Sequence, residues 1–204
     1  MVRGFEDEEI THVEPGPLDP VRDIEIILTE LRKKDLARCD KFIEANKRNV
    51  ERKVGGKELA FELEVVEKCA ALLRGSDGAK PLDVRAGDWS VKEIEVLNKL
   101  LFLTAKPVVF LVNLSKRNFV KKTSKFLPKI KEFVDSLGCG DLIIPFSVLF
   151  ESELLEAEEG GKKDEYLADC EGAVSMMPRI VHAGYDALHL IHLFVARRCG
   201  GRSD

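Results

Sequence analysis

The sequence predicts an α/β protein that also carries an antiparallel helical hairpin. Two short apolar runs, rich in β-branched residues, cover residues 107–112 and 142–147 and bracket a helical stretch over 127–137. This order of strand, helix and strand is one βαβ unit with parallel, buried strands. The first third of the chain instead shows long helical periodicities joined by a glycine pair, which is typical of a helical hairpin.

The hairpin begins where Asp19 precedes Pro20, a side-chain cap followed by proline at the first helical position. A second helix, carrying an apolar seam over residues 59–73, follows the turn at Val54-Gly55-Gly56. A third helix is predicted from Ser90, with Glu93 completing a capping box and Trp89 packing beneath it. Its expected inward residues are Val91, Ile94, Leu97 and Leu101.

Composition is that of a folded, helix-rich protein. Of 204 residues, 45% are hydrophobic and 33% charged, with a formal net charge of −4, which excludes collagen-like and mostly disordered classes. No run approaches the roughly 18 apolar residues of a membrane span, and the first residues lack the apolar core of a signal peptide. We therefore expect a cytoplasmic location.

Two segments are locally basic. Residues 21–57 contain 11 Lys or Arg against 7 Asp or Glu, and residues 116–131 contain seven Lys or Arg and no acid. Solvated helix faces are the favoured explanation, and a phosphate-rich partner is the alternative. The acidic stretch from Glu151 to Glu159 is expected to be a mobile surface segment.

The sequence lacks the phosphate-binding and metal-binding motifs that are common in enzymes. No G-x-x-x-x-G-K-[ST] phosphate loop occurs in the sequence, and Gly55-Gly56-Lys57 and Gly160-Gly161-Lys162 are better explained as turns. The four histidines and five cysteines show no metal-ligand spacing, so no metal site is predicted.

Several ordered blocks nevertheless resemble the Obg-like ATPase (YchF) family of P-loop NTPases, in its eukaryotic branch. The longest are GFEDEEITHVE from Gly4 and DPVRDIEII from Asp19. The further blocks are 54–57, 92–99, 102–107, 112–115, 144–147 and 183–188.

The resemblance implies a nucleotide-binding domain split by a helical coiled-coil arm and followed by a small TGS domain. It also implies ATP hydrolysis in preference to GTP and a link to ribosomes. On this basis residues 1–18 are an N-terminal remnant of the nucleotide-binding domain and 19–88 the arm. Residues 89–190 are then the C-terminal half of that domain, and 191–204 a truncated TGS domain or tail. The phosphate loop and the magnesium-binding aspartate would precede position 1, so this chain is not expected to hold Mg²⁺.

The resemblance also assigns candidate site residues. Asn113 and Leu114 match the start of the family's base-recognition motif NxxE, whose fourth position is here Lys116, which cannot accept a hydrogen bond. Ser147 and Val148 occupy the second base-side loop. An equal alternative is that all four are ordinary residues at strand ends.

His12 matches a family histidine near the γ-phosphate and is the catalytic candidate, although it has no phosphate to act on in this chain. The sequence thus predicts weak ATP binding, with GTP an alternative, and no hydrolysis by this chain alone. Alternatively, the basic arm binds RNA, the ribosome or a protein without enzymatic activity, through Lys33, Lys34 and Arg38. A third interpretation is a truncated gene model or divergent copy with no independent role.

Overall fold

The structure, a computed structural model, describes residues 1–6, 17–75, 80–191 and 193. Its three strands are β1 (Val2–Arg3), β2 (Val109–Asn113) and β3 (Leu142–Phe146). The helices are α1 (Pro20–Glu51), α2 (Gly56–Arg74), α3 (Val91–Leu100), α4 (Lys116–Val120), α5 (Leu127–Ser136), α6 (Val148–Glu159), α7 (Lys163–Asp169) and α8 (Met177–Ala187). A 3₁₀ turn covers Val84–Ala86.

The sheet is parallel throughout, with β2 between β1 and β3. Its register pairs Val2 with Val112 on one side and Asn113 with Phe146 on the other. The α/β prediction and the βαβ unit built from β2, α5 and β3 are therefore confirmed. Ile130 and Val134 of α5 are buried against the sheet, as their spacing predicts.

The helical hairpin also forms as predicted. Asp19 Oδ1 accepts hydrogen bonds from Val21 N (3.1 Å) and Arg22 N (3.3 Å), which starts α1 at Pro20. The turn to α2 contains Gly55 at φ +94° and Gly56 at φ +68°. A side chain is disfavoured at both angles, and a Cβ on Gly55 would lie 2.5 Å from Leu59 Cδ2.

Helix α3 differs from its prediction. The capping box between Ser90 and Glu93 is present, but the expected inward face is wrong for three of its four members. Val91, Ile94 and Leu101 are exposed, and the buried pair is Val96 and Leu97. The reason is that α3 packs on α2. The residues of α3 that face α2 belong to the adjacent stripe, which contains Val96 and Leu97.

Two main packing clusters organise the molecule, and α1 contributes to both. Ile24 and Leu28 pack with the sheet and α5, whereas Cys39 packs with α2 and α3. The side-chain packing therefore crosses both expected boundaries, near residues 19 and 89, and the domain division stays a prediction. No helix in the described ranges is both long and apolar enough to cross a membrane.

Candidate functional site

The carboxyl ends of β2 and β3 lie side by side and carry the four predicted base-side residues. Asn113 Oδ1 accepts a hydrogen bond from Val148 N at 3.0 Å, and Leu114 N donates to Phe146 O at 2.8 Å. The first bond joins the end of β2 to the start of α6, and the second joins the residue after β2 to the end of β3. The structure thus brings Asn113, Leu114, Ser147 and Val148 together at the sheet edge where open α/β folds bind ligands.

The contact with Val148 fixes the orientation of the Asn113 amide. Because the backbone N–H of Val148 is a donor, the atom that faces it must be the oxygen of Asn113. The Nδ2 group then faces away and makes no hydrogen bond to the described part of the chain. Asn113 is half-buried, so this amide is an accessible donor for a ring nitrogen or carbonyl of a base.

The other three residues contribute a helix cap, a backbone carbonyl and an apolar side chain. Ser147 is fully buried, and its Oγ caps α6 by accepting from Phe150 N at 3.4 Å. Leu114 is 3% exposed and its N–H is already bonded to Phe146, so its carbonyl oxygen is the group left for a ligand. Val148 offers an exposed apolar side chain against which a flat ring can pack.

Lys116, the fourth residue of the motif, faces away from this edge toward α6 and α7. Its ammonium pairs with Glu153 and lies 4.6 Å from the centre of the Tyr166 ring. Tyr166 in turn donates its hydroxyl to Glu153 Oε2 at 2.9 Å. The hydrogen bond that Lys116 donates to Glu153 raises the pKa of Lys116 and lowers the pKa of Glu153. Lys116 is therefore a charged side chain that contacts Glu153 of α6 and Tyr166 of α7. It does not supply a hydrogen-bond acceptor to a base.

This cluster also corrects the expectation for the acidic stretch. Residues 151–159 lie within α6, so the prediction of a mobile surface segment is wrong. Besides Glu153, Glu151 accepts from Ser175 Oγ (2.6 Å) and Met176 N (2.7 Å), which attaches α6 to the start of α8. Sequence reasoning missed Glu153 and Tyr166 because their partner Lys116 lies 37 and 50 positions away.

The partner-binding candidates on the arm occupy different environments. Lys33 is exposed and pairs with Glu30 at 2.8 Å, and Lys34 is exposed. Arg38 Nη1 donates to the carbonyl oxygens of Leu100 and Leu101, both at 2.8 Å, and so caps the end of α3. Two of the three residues are thus free to change partners at low cost, whereas Arg38 has a structural role.

Two further predictions concern His12 and metal binding. His12 lies outside the described residues. Within the described ranges, no cluster of three or more histidine, cysteine, aspartate or glutamate side chains is arranged to hold a metal ion.

Comparisons with known proteins agree on one relationship. No protein-family model matches the chain. Obg-like ATPase 1 of Schizosaccharomyces pombe is 40% identical over 205 residues, covering 98% of this chain and 49% of that protein. The human Obg-like ATPase 1 is 44% identical over 198 residues, covering 96% of this chain and 48% of that protein.

The solved structures give the same result. The structure of the Schizosaccharomyces pombe YchF GTPase superposes with a TM-score of 0.76 at 38% identity, covering 92% of this chain and 48% of that one. The chain therefore spans about half the length of the relatives that it matches. Within that span, sequence and fold agree that this chain belongs to the Obg-like ATPase (YchF) family.

Proposed function

We propose that this chain is the base-binding part of a purine-nucleotide site and binds ATP or GTP weakly, without hydrolysing either when alone. The observation that carries this proposal is the bond from Val148 N to Asn113 Oδ1. It holds two strand-end loops together and leaves the Asn113 amide donor facing outward. Membership in a family whose members are named ATPase and GTPase supports the same assignment.

The donors and acceptors at this edge suit a purine ring without selecting strongly between adenine and guanine. Asn113 Nδ2 can donate and the Leu114 carbonyl can accept, and both bases present partners for each. The fourth motif position would need an acceptor to read the N1–H and amino group of guanine, and Lys116 has none. We therefore expect the dissociation constants for adenosine and guanosine to lie within about threefold of each other. This difference is smaller than the tenfold change that about 1.4 kcal/mol of binding free energy would produce.

Phosphates are expected to add little to binding. In nucleotide-binding domains a glycine-rich loop before a helix cradles the phosphates and, with Mg²⁺, positions them. The 204-residue sequence contains no such motif. ATP and adenosine should then bind this chain with similar affinity, and Mg²⁺ should not strengthen the binding.

Ligand-observed NMR titrations of the purified chain with adenosine and ATP, each with and without Mg²⁺, test this proposal. Dissociation constants within about threefold of one another are expected, in the weak millimolar regime of about −4 kcal/mol. The variant Asn113→Asp keeps an acceptor for Val148 N but removes the amide donor, and it should weaken adenosine binding. Asn98→Asp, an equivalent change at an exposed position of α3, should leave binding unchanged.

Two results would contradict the proposal. ATP binding a hundredfold tighter than adenosine only with Mg²⁺ would show that the chain holds the phosphates after all. Magnesium-dependent release of phosphate well above background would show that it hydrolyses nucleotide alone.

The alternative proposal assigns a non-enzymatic docking role to the arm. It is favoured by the exposure of Lys33 and Lys34 on α1. Because Arg38 caps α3, replacing it would destabilise the fold as well as remove a positive charge. A loss of binding in such a variant could then not be assigned to either effect. The double variant Lys33→Gln/Lys34→Gln is therefore the sharper test, and unchanged sedimentation with ribosomes would reject this role.

A further inference from the structure

Two of the cysteines lie opposite each other inside the arm. Cys39 on α1 and Cys69 on α2 are both 0% exposed and belong to the same packing cluster. Cys39 lies 12 residues before the end of α1, and Cys69 lies 13 residues after the start of α2. At about 1.5 Å per residue, the two positions are at nearly the same distance from the turn, about 18–20 Å.

The two thiols are also in contact. A hydrogen bond joins Cys39 and Cys69, and this bond, together with burial, raises the pKa of the Cys69 thiol. The cluster around them contains aliphatic side chains such as Val65, Val66 and Ala70. Each sulfur therefore has the other within hydrogen-bonding distance as a reaction partner.

The other cysteines that the structure describes are not paired with a second thiol. Cys139 donates to a backbone carbonyl at 3.4 Å, and Cys170 packs in a separate cluster on α6 and α7. Both are free thiols, as are Cys39 and Cys69. Among the described cysteines, contact between two thiols is thus confined to the pair on the arm.

We propose that Cys39 and Cys69 are a modification site, at which a small-molecule disulfide of the glutathione class converts them into an intramolecular disulfide. One protein thiolate attacks the small-molecule disulfide, breaks its S–S bond and releases one thiolate, which leaves a mixed disulfide. The second protein thiolate attacks that mixed disulfide and releases the other small thiolate. The two protein thiols lose two electrons and two protons, and the small-molecule disulfide gains both and becomes two thiols.

Burial makes this site slow to react. The thiolate is the reactive form of cysteine, and the raised pKa and 0% exposure of Cys69 keep it unreactive while the helices are packed. Exchange therefore requires a transient separation of α1 from α2 near the base of the arm, where Cys69 lies five residues before the end of α2. Once the helices close again, the same burial shields the disulfide from reductants. The pair thus responds to lasting oxidation and not to a brief pulse.

The disulfide closes the outer part of the arm, residues 39–69, into a covalent loop. Closing a loop of about 30 residues lowers the chain entropy of the unfolded state, which reduces the equilibrium constant for unfolding by up to about 400-fold. The inference does not depend on nucleotide binding, because the pair packs with α2 and α3 and not at the edge formed by β2, β3 and α6.

Oxidation of the full, folded chain tests the proposal. The reduced chain is incubated with millimolar glutathione disulfide at mildly alkaline pH, quenched with acid, alkylated after unfolding and digested. Mass spectrometry should find the peptides of Cys39 and Cys69 joined, with a loss of two hydrogens, as the main oxidised product. The oxidised chain should unfold at a higher urea concentration than the reduced chain. Dithiothreitol should reduce the disulfide at least about tenfold more slowly in the folded chain than in urea, because burial blocks access.

Two matched variants separate the pair from general oxidation of the protein. Cys39→Ala keeps Cys69 and should lose both the joined peptides and the stabilisation by oxidant. Cys170→Ala removes a buried cysteine from the cluster on α6 and α7, and it should keep both. Each variant is compared with its own reduced form, so a change in the stability of the reduced chain does not affect the result.

Three outcomes would overturn the proposal. Recovery of Cys39 and Cys69 as free thiols, under conditions that oxidise the urea-unfolded chain completely, would show that the helices do not admit the oxidant. Glutathione retained on either cysteine would show that the second thiol does not reach the mixed disulfide. Disulfides to Cys139 or Cys170 in equal yield would show random pairing after unfolding.

Discussion

Asp35 provides the most direct test of how the arm is attached to the rest of the molecule. This carboxylate lies on α1 and is 1% exposed. Its oxygens accept from Leu103 N (2.9 Å), Thr104 N (2.7 Å) and Thr104 Oγ (2.8 Å). Replacement by alanine leaves two backbone donors of the loop after α3 without an acceptor.

The expected loss of folding free energy follows from the number of backbone donors that Asp35→Ala leaves without an acceptor. A buried donor left unsatisfied costs about 1–3 kcal/mol, so two of them cost about 2–6 kcal/mol. The Leu103 bond is only partly buried, which places the expected loss for Asp35→Ala near 3–4 kcal/mol. Asp35→Asn keeps one acceptor but presents an amide to another donor, and about half that loss is expected.

Equilibrium urea unfolding at pH 7, followed by circular dichroism, measures these free energies. The control is Asp40→Ala on the same helix, where the lost partner is the half-exposed Arg74 and the expected cost is about 0–1 kcal/mol. If Asp35→Ala is no less stable than Asp40→Ala, the three hydrogen bonds do not hold the loop and the reasoning is wrong.

Three further predictions concern the arm turn, the α3 cap and the Lys116 cluster. Gly55→Ala should destabilise the protein more than Gly56→Ala in the same assay, because both positions have positive φ but only Gly55 would also contact Leu59 closely. The hydrogen bond from Lys68 and the bonds from Ser90 lower the pKa of Glu93 from about 4.5 to about 2. Its ionised form therefore stabilises the fold above pH 4.5, and the difference in Tm between the wild type and Glu93→Gln should shrink as the pH falls from 4.5 toward 2. A double-mutant cycle of Lys116→Met and Glu153→Gln should give a coupling of about 1 kcal/mol, and a value of zero would deny the pair any stabilising role.

The features that could be predicted from the sequence are those with local causes. The cap at Asp19, the glycine turn and the apolar periods of α1, α2 and α5 are each encoded within a few residues. The stripe of α3 that is buried could not be predicted in the same way. Val91, Ile94 and Leu101 are spaced correctly for an inward face, but the position of α2 selects Val96 and Leu97 instead.

The candidate site likewise contains features that could be predicted from the sequence and features that could not. That Asn113 and Val148 lie close together follows from the rule that parallel strands end at one edge, and the structure places them in contact. Their binding of a nucleotide stays a prediction. The environment of Lys116 could not be anticipated, because it depends on Glu153 and Tyr166, and their positions depend on how α6 and α7 pack.

An ionic cluster between the two packing clusters fixes the direction of α1 relative to the sheet. Arg32 on α1 donates to Asp83 at 2.7 Å, and Arg85 contacts both Asp83 (3.3 Å) and Asp141 (2.7 Å) at the start of β3. Asp83 and Asp141 are almost fully buried, so each charge depends on these partners.

Removing one member of a buried ionic cluster leaves another charge uncompensated, at a cost of about 3–5 kcal/mol. The cluster therefore penalises any movement that separates α1 from the sheet. Because α1 continues from Arg32 to Glu51 without proline or glycine, the same constraint extends along about 29 Å of helix beyond Arg32. The arm is in this way oriented from its base, by residues that lie between the two clusters.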